Sequence, residues 1–319
     1  MSNVKHIPRA VAIVGSTASG KSALAMELCK RHGGELVSMD SMQIYRGMDV
    51  GTAKPTEIER AQVPHHMIDV AEPTENYSCG AYAQAATKVI REIESRGKLP
   101  VLCGGTGLYL DGLLRGGFGE NYADPALRAQ LEDFADAHGA NALHARLAEL
   151  DPESAAAIHP NNVKRVVRAI EICTLSGKTK TELDKLSREA DPQVDALVIG
   201  IRYNNREVLY DRIGRRVELM LRDGLVEETE RLWKAGVFEV NATAAGAIGY
   251  KEILPYIRGE ITLPEAKEQL CIATRQYAKR QMTWFSAKPY VNFIDCDGIE
   301  NEKRYKEIVK NAIEIFQKD

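Results

Sequence analysis

The chain has 319 residues, of which 44% are hydrophobic and 27% are charged, and its formal net charge is −3. This composition is that of an ordinary globular protein of one or two domains, and it excludes a chain that binds nucleic acid through overall positive charge. No apolar run approaches the length that spans a bilayer, and the residues before the first predicted strand lack a signal-peptide core. We therefore expect a cytoplasmic protein that does not bind membranes.

The first predicted elements are a buried strand over residues 10–14 and a helix over residues 21–32, joined by a loop with the spacing G-x-x-x-x-G-K-[ST]. In this strand–loop–helix context the motif is a phosphate-binding loop, whose backbone N–H groups point into one concavity beside the positive end of the helix. The lysine supplies a mobile charge and the last hydroxyl can ligate Mg²⁺. The predicted phosphate-binding residues are Gly15, Ser16, Thr17, Ala18, Ser19, Gly20, Lys21 and Ser22, with Ser22 as the Mg²⁺ ligand.

Alternating strands and helices follow this loop. In order they are a strand over residues 35–39, a loop over 41–64, a short strand over 66–70, a helix over 78–96 and a strand over 99–103. Such alternation predicts a parallel α/β sheet of the nucleotide-kinase type. Because the carboxyl ends of parallel strands share one edge, we expect Gly15, Asp40 and Gly104 to lie along that edge.

Asp40 directly follows the predicted strand over residues 35–39, the first strand after the phosphate-loop helix. ATPases and GTPases with this loop usually have an acid after a second strand, but the strand over residues 99–103 ends in Gly-Gly-Thr-Gly. An acid directly after the phosphate-loop helix occurs in small nucleotide kinases and related transferases, where it can contact the acceptor and take its proton. A helix cap or a loop ion pair is the alternative. Thr106 could bind an anion or a base, although by itself it is better interpreted as a turn residue.

The character of the chain changes near residue 116. Residues 120–160 are rich in alanine, acidic and helical in pattern, and a further helix is predicted over 161–176. Strand character returns at 195–201, which predicts a helical insertion over residues 120–195 within a catalytic core formed by 1–119 and 196–319. The remaining predicted elements are a helix over 204–233 with a break at Gly224, a helix over 263–285, a strand over 290–294 and a terminal helix over 301–317.

Two of these helices carry basic residues. Arg212, Arg215 and Arg216 lie on one helix, and one of them could complete a clamp for a diphosphate, although such residues are more often a solvated face. Residues 271–290 contain four basic residues and no acid. The group Arg275, Lys279, Arg280 and Trp284 suits phosphate-backbone contacts and base stacking. A core helix with solvated basic residues is an equally good interpretation.

The cysteines and histidines show no metal-site pattern. Six cysteines are widely scattered, with no C-x-x-C pair, and the adjacent His65 and His66 have no other ligands at metal spacing. We expect reduced, mostly buried thiols and a loop or core role for the histidine pair.

Six motifs in order are Gly15–Ser22 (GSTASGKS), Ser38–Tyr45 (SMDSMQIY), Asp49–Pro55 (DVGTAKP), Gly104–Thr106 (GGT), Ile158–Asn161 (IHPN) and Lys279–Trp284 (KRQMTW). Together they resemble the tRNA dimethylallyltransferase (tRNA isopentenyltransferase) family in its bacterial form, over essentially the whole chain. The resemblance implies transfer of a dimethylallyl group from dimethylallyl diphosphate to the exocyclic N6 of the adenosine just 3′ of the anticodon. Diphosphate is released, and the loop that binds ATP in kinases holds the prenyl diphosphate with Mg²⁺.

Carried over by position, the resemblance implies roles for individual residues. Asp40 corresponds to the general base, Thr106 to a contact with the target base, and Arg216 to a contact with the diphosphate. Ser22 replaces the threonine of some members and keeps the hydroxyl, whereas Gly246 lacks the basic or amide side chain that some members carry. The predicted contacts with the tRNA anticodon stem-loop are Asp40, Ser41, Met42, Gln43, Thr106, Arg128, Lys164, Arg165, Arg168, Gly249, Tyr250, Lys251, Arg275, Lys279, Arg280 and Trp284.

Three alternatives stay open. The fold would also suit an ATP-dependent kinase of a small molecule or a transferase that prenylates free adenine nucleotides, although the basic-aromatic helix over 263–285 favours a macromolecular acceptor. A non-catalytic RNA partner that uses the loop as a nucleotide switch is less well supported, because no second strand ends in an acid. A monomer would suffice for any of these functions.

Overall fold

The computed structural model describes residues 6–115, 122–189 and 191–298, together with 303, 306 and 307. The chain divides into two compact units, one formed by Met1–Leu114 with Gln193–Asp319 and the other by Arg115–Pro192. From the sequence we placed the inserted unit at residues 120–195. The terminal helix predicted over 301–317 lies outside the described residues except for the three named above.

The first unit is built on a parallel sheet. Among the described residues it has six strands in the order β3-β2-β4-β1-β5-β6. The strands are β1 (Arg9–Gly15), β2 (Gly34–Ser38), β3 (His65–His66), β4 (Leu99–Gly104), β5 (Asp195–Arg202) and β6 (Val291–Asp295). Every pairing is parallel. The predicted α/β fold class is therefore confirmed.

Strand β1 lies at the centre of the sheet and is buried on both faces. Its residues Ala10, Ala12 and Val14 pack into one apolar cluster, while Val11 and Ile13 pack into another on the opposite face. Both faces are covered by helices. Because the strand has no solvent-facing side, its sequence is a continuous apolar run.

The helices are numbered in chain order. They are α1 (Lys21–His32), α2 (Glu57–Gln62), α3 (Cys79–Ser95), α4 (Gly107–Arg115), α5 (Pro125–His138), α6 (Ala140–Leu150), α7 (Pro152–Ala157), α8 (Val163–Ser176), α9 (Lys180–Glu189), α10 (Arg206–Arg222), α11 (Leu225–Lys234), α12 (Val237–Val240), α13 (Ala242–Ala245), α14 (Tyr250–Ile257) and α15 (Leu263–Ser286). No helix of the described residues is long and apolar enough to cross a bilayer.

Two local differences from the predicted elements have clear causes, and one predicted helix break is present. The predicted loop over 41–64 contains α2, which starts with a capping box in which Thr56 and Glu59 each accept the other's backbone N–H. The predicted strand over 66–70 shrinks to β3, because Met67 and Asp69 take left-handed backbone angles, with φ of 60° and 57°. The predicted break at Gly224, with φ of 102°, separates α10 from α11.

Candidate active site

The phosphate loop, Asp40 and the Gly-Gly-Thr turn meet at the carboxyl edge of the sheet. The Met39 N–H donates to the Cys103 carbonyl at 2.8 Å, and the Thr106 N–H donates back to the Met39 carbonyl at 3.2 Å. A Cβ on Gly104 would lie 2.0 Å from the Met39 carbonyl oxygen, so only glycine allows this approach. The structure thus brings together the three strand ends that the sequence predicted to share one edge.

The phosphate loop leaves β1 at Gly15 and enters α1 at Lys21. A Cβ on Gly15 would lie 2.6 Å from the Ile201 carbonyl oxygen of β5, and φ of Gly15 is 152°. Gly20 takes a left-handed conformation with φ of 90°, and no side chain caps the first turn of α1. The N–H groups of that turn are therefore directed into the loop, where an anion can accept their hydrogen bonds.

Neighbouring elements hold the carbonyls of this loop. Arg212 of α10 donates its Nε–H to the Ala18 carbonyl at 2.7 Å, and the Tyr203 hydroxyl donates to the Ser19 carbonyl at 3.4 Å. Ala18 has φ of 60°, a left-handed conformation that its tethered carbonyl helps to maintain. The Ser19 hydroxyl is buried without a hydrogen-bond partner among the described residues. The loop is therefore shaped before any ligand binds.

Lys21 and Arg216 supply positive charge beside Asp40. Burial is the main cause that lowers the pKa of Lys21, and the Arg216 guanidinium lowers it further, while Cys103 and Asp40 act in the opposite direction. Burial likewise lowers the pKa of Arg216, against the Asp40 carboxylate and Tyr277, which raise it. Two poorly solvated cations in one site gain a large stabilisation from a bound dianion.

The three arginines of α10 have different environments. Arg212 is engaged with the phosphate loop, as described above. Arg215 is exposed and folds back on its own helix, where its Nε–H donates to the Asp211 carbonyl at 3.4 Å. Arg216 is the one that interacts with the charges of Lys21 and Asp40. The contact of Arg216 with the diphosphate stays a prediction.

Asp40 and Thr106 organise the acceptor side of the edge. Asp40 Oδ1 accepts the Met42 N–H at 2.9 Å, and Thr106 Oγ1 accepts the Ser41 N–H at 3.0 Å. Asp40 Oδ2 makes no hydrogen bond to the described part of the protein, and no ion pair joins Asp40 to a described residue within 4.0 Å. One carboxylate oxygen therefore fixes the turn, and the other is left for a ligand.

Gln281 is a site residue that sequence reasoning missed. This buried side chain of α15 contacts both the phosphate loop and the Gly-Gly-Thr turn, since Oε1 accepts the Thr17 N–H at 2.8 Å and Nε2 donates to the Gly105 carbonyl at 3.1 Å. Its partners lie far away in the sequence, and a single glutamine in a helix carries no signal. The adjacent glycines at 104 and 105 were the only hint of a close approach.

Most of the predicted RNA contacts on α15 are exposed. Lys279 and Arg280 project to solvent, and Trp284 is 37% exposed with the Lys288 ammonium 4.7 Å from its ring centroid. Arg275 is also exposed and lies over the Tyr210 ring, 4.8 Å from the centroid. A shallow groove on this face is lined by Gln276, Lys279, Arg280, Thr283, Trp284, Ala287 and Lys288.

Other predicted RNA contacts in the first unit are partly or fully engaged with the protein. The Gln43 side chain donates to the Thr52 and Ala53 carbonyls, both at 3.2 Å, and accepts the Ser38 hydroxyl at 2.8 Å. Ser41 and Met42 are partly exposed, Lys251 is exposed, and Gly249 is buried.

The Tyr250 side chain is a core residue. It is 1% exposed, and its hydroxyl donates to Glu228 Oε1 at 2.7 Å. A contact of this ring with RNA would require the ring to leave the core.

The second unit carries the predicted contacts Arg128, Lys164, Arg165 and Arg168. Lys164 and Arg165 are exposed on α8. Arg128 and Arg168 both pair with the fully buried carboxylate of Glu171, at 2.9 Å and 2.6 Å. Their side chains remain 43% and 40% exposed, so one buried acid orients two arginines whose outer faces stay accessible.

Comparisons with known proteins identify the family of this chain. The IPP transferase family model matches residues 43–288, and the isopentenyl transferase model matches residues 8–74. The tRNA dimethylallyltransferase of Caldanaerobacter subterraneus is 43% identical over 96% of this chain and 96% of its own length. That of Halalkalibacterium halodurans is 46% identical over 93% of this chain and 94% of its own length.

Solved structures show the same likeness. The tRNA isopentenylpyrophosphate transferase of Bacillus halodurans superposes with a TM-score of 0.68 at 42% identity, covering 96% of this chain and 98% of that one. A eukaryotic dimethylallyltransferase that acts on tRNA superposes with a TM-score of 0.78 at 27% identity, covering 96% and 78%. These matches confirm the resemblance that the six motifs indicated, and the chain belongs to the IPP transferase family of tRNA dimethylallyltransferases.

Proposed function

We propose that this chain transfers a dimethylallyl group from dimethylallyl diphosphate to the exocyclic N6 of the adenosine just 3′ of the anticodon in tRNA. The observation that carries the proposal is the single sheet edge that holds a phosphate loop, two poorly solvated cations and the Asp40 carboxylate. Relatives that match more than nine-tenths of this chain are named tRNA dimethylallyltransferase.

The phosphate loop is proposed as the site of the leaving group. As the bond from the prenyl carbon to the diphosphate oxygen breaks, negative charge accumulates on the diphosphate. The N–H groups of the first turn of α1, the Lys21 ammonium and the Arg216 guanidinium are fixed before reaction, and such preorganised groups stabilise charge that develops in the transition state.

A magnesium ion fits this site as a companion of the diphosphate. Mg²⁺ is usually bound through a few protein oxygens and substrate phosphates rather than by an all-protein cage. The described residues contain no cluster of three or more His, Cys, Asp or Glu side chains that would hold a metal, whereas the Ser22 hydroxyl is exposed at the start of α1. We propose Ser22 as the protein ligand, and the ion when bound would neutralise charge on the diphosphate.

Asp40 is proposed as the general base. The adenine N6 amine is a poor nucleophile, because its lone pair is delocalised into the ring, and a carboxylate within hydrogen-bond reach takes its proton as the new bond forms. The free Oδ2 of Asp40 suits this role, and Thr106 is proposed to contact the same base. We propose that the adenosine flips out of its loop to bring N6 to the Asp40 carboxylate.

Each unit is proposed to carry RNA contacts of its own, the first on the exposed face of α15 and the second on the arginines that Glu171 orients. Lys279 and Arg280 would contact phosphates, and Trp284 offers a ring for stacking. Every group that the reaction needs is present in one chain, so we propose a monomer. A cytoplasmic location suits a tRNA substrate and the free state of the six cysteines.

One assay tests the proposed function. The protein is mixed with labelled dimethylallyl diphosphate, Mg²⁺ and either unmodified tRNA or free adenosine monophosphate, and we expect label to enter only the tRNA. Asp40→Asn removes the base and is expected to lower the transfer rate by about 10²- to 10⁴-fold while diphosphate binding is retained. Asp133→Asn, on the exposed face of α5, is the matched control and should transfer at the parent rate.

Three results would contradict the proposal. Label in adenosine monophosphate and none in tRNA would indicate a free-nucleotide prenyltransferase. No incorporation, together with ATP-dependent phosphorylation of a small acceptor, would indicate a kinase. Full activity of the Asp40→Asn variant would remove Asp40 from the role of base.

A further inference from the structure

Gln281 forms a bridge between the two halves of the site. Its amide oxygen accepts the Thr17 N–H of the phosphate loop at 2.8 Å, and its amide nitrogen donates to the Gly105 carbonyl of the Gly-Gly-Thr turn at 3.1 Å. Thr17 and Gly105 can be linked in this way because a glutamine amide has one acceptor end and one donor end. With 5% of its surface exposed, Gln281 makes these contacts away from solvent.

The chemistry of the partners determines the orientation of this amide. A backbone N–H can only donate and a carbonyl can only accept, so Oε1 must face Thr17 and Nε2 must face Gly105. The Thr17 N–H is thereby committed to the protein. Gln281 therefore acts on the position of the loop, in which the Ser16 carbonyl also accepts the Ser19 N–H at 3.3 Å and the Lys21 ammonium at 3.2 Å.

The Gln281 side chain packs against Gly105 with no room for a side chain at residue 105. A Cβ on Gly105 would lie 1.9 Å from Gln281 Nε2, so only glycine permits the bond. Tyr277, one turn before Gln281 on α15, interacts with the charges of Asp40 and Arg216. The same face of α15 therefore contacts the donor loop, the acceptor turn and the charged groups between them.

We propose that Gln281 is a positioning residue that sets the alignment of the prenyl donor with the adenine acceptor. This inference rests on the proposed function, because it assigns the donor to the phosphate loop and the acceptor to the turn at Thr106. Reaction requires the two reacting atoms to lie about 3 to 3.5 Å apart, and a misplacement of about 1 Å can cost about 10²-fold in rate. Binding of one substrate alone depends only on the hydrogen bond at its own end of the Gln281 side chain, which is the Thr17 bond for the prenyl donor and the Gly105 bond for the adenine.

The test uses Gln281→Met, which keeps the length of the side chain and removes both hydrogen bonds. We expect kcat to fall by about 10- to 100-fold, while the KM for tRNA and the Kd for inorganic diphosphate with Mg²⁺ change by less than about 3-fold. Gln269→Met, at an exposed position of the same helix, is the matched control and should match the parent protein. Gly105→Ala disrupts the hydrogen bond between Gln281 and Gly105 by adding a Cβ at its acceptor residue, and it should lower kcat in the same way.

Two further measurements separate positioning from packing. If both substitutions act through one bond, the double variant should be little slower than either single variant, because such losses are not additive. Amide hydrogen exchange should quicken in the peptide that contains Thr17 in the Gln281→Met protein, and this readout does not depend on activity. Additive losses, or a change confined to diphosphate affinity with kcat within about 2-fold, would refute the positioning role.

Failure of the proposed function gives a different pattern. In that case the unsubstituted protein transfers no label to tRNA, whereas exchange at Thr17 still responds to Gln281→Met. Unchanged exchange at Thr17 in an active protein would instead refute the bridge.

Discussion

Glu228 of α11 receives four hydrogen bonds from the loop and helix that support the acceptor side of the site. Its Oε2 accepts the N–H groups of Asp49 and Val50 at 2.9 and 3.0 Å, and its Oε1 accepts the Gly51 N–H at 2.9 Å and the Tyr250 hydroxyl at 2.7 Å. The residue is 7% exposed. Glu228→Gln removes the charge and replaces one of the two acceptor oxygens by a donor.

The cost of this substitution can be worked from the four bonds. The best orientation of the amide turns its NH₂ towards Gly51 and Tyr250, where the hydroxyl can rotate to accept but the Gly51 N–H loses its partner. One buried N–H left without a partner costs about 1–3 kcal/mol, and the three remaining bonds each weaken by about 1 kcal/mol when the charge is lost. The expected destabilisation is therefore roughly 4–6 kcal/mol. Tyr250→Phe removes one bond and leaves the carboxylate with three donors, so it should cost only about 1 kcal/mol.

Thermal unfolding measured by calorimetry checks this estimate. At about 2 °C per kcal/mol for a unit of this size, the Glu228→Gln midpoint should fall by about 8–12 °C and the Tyr250→Phe midpoint by about 2 °C. The transition to follow is that of the unit containing the sheet, because the chain has two units. A midpoint of Glu228→Gln within 2 °C of the parent, or a larger shift for Tyr250→Phe, would show that the carboxylate does not organise this loop.

Two further predictions concern RNA binding and acid stability. Lys279→Ala should weaken tRNA binding and reduce by about 1 the slope of log affinity against log salt concentration. Lys267→Ala, earlier on the same helix, should change neither the affinity nor the slope. Equal tRNA affinity for both variants would show that the basic residues of α15 are solvated and do not contact RNA. Although burial acts to raise it, hydrogen bonds from Ser154 and Thr181 lower the pKa of Asp151 to about 2. The pKa is below its unfolded value, so this stabilisation is complete above about pH 4 and is lost as the pH falls towards 2. Acid titrations of unfolding should show this loss of stability of about 2 kcal/mol in the parent and its absence in Asp151→Asn.

Sequence patterns predicted the sheet and its functional edge because local rules determine them. The central strands are fully buried and therefore apolar throughout, and the phosphate loop needs glycine where the backbone turns or passes close to another strand, as at Gly15. Asp40 could be singled out because it follows a strand directly. The short helix α2 was missed although Thr56 and Glu59 form a capping box, because none of its residues is buried and its apolar pattern is weak.

The supporting residues of the site could not be predicted. Gln281 and Glu228 each bind backbone groups more than 170 positions away, and nothing in their local sequence distinguishes them from solvated side chains. Likewise, helical periodicity does not say which of three arginines on α10 faces the site. Tertiary packing determines the partners of Gln281 and Glu228 and the arginine that faces the site, so these features are seen only in the folded structure.

The central position of β1 has a consequence for synthesis of the chain. The residues of β1 pair with β4 on one side and with β5 on the other, so that Arg9 pairs with Asp195. At about 5–20 residues per second, roughly 5–20 s pass between the completion of β4 and the start of β5, while the inserted unit is made. During that interval one edge of the most apolar strand has no partner, and unpaired strand edges of this kind promote aggregation. Fragments that end before residue 195 are therefore expected to aggregate, whereas the complete chain covers the same edge with its own fifth strand.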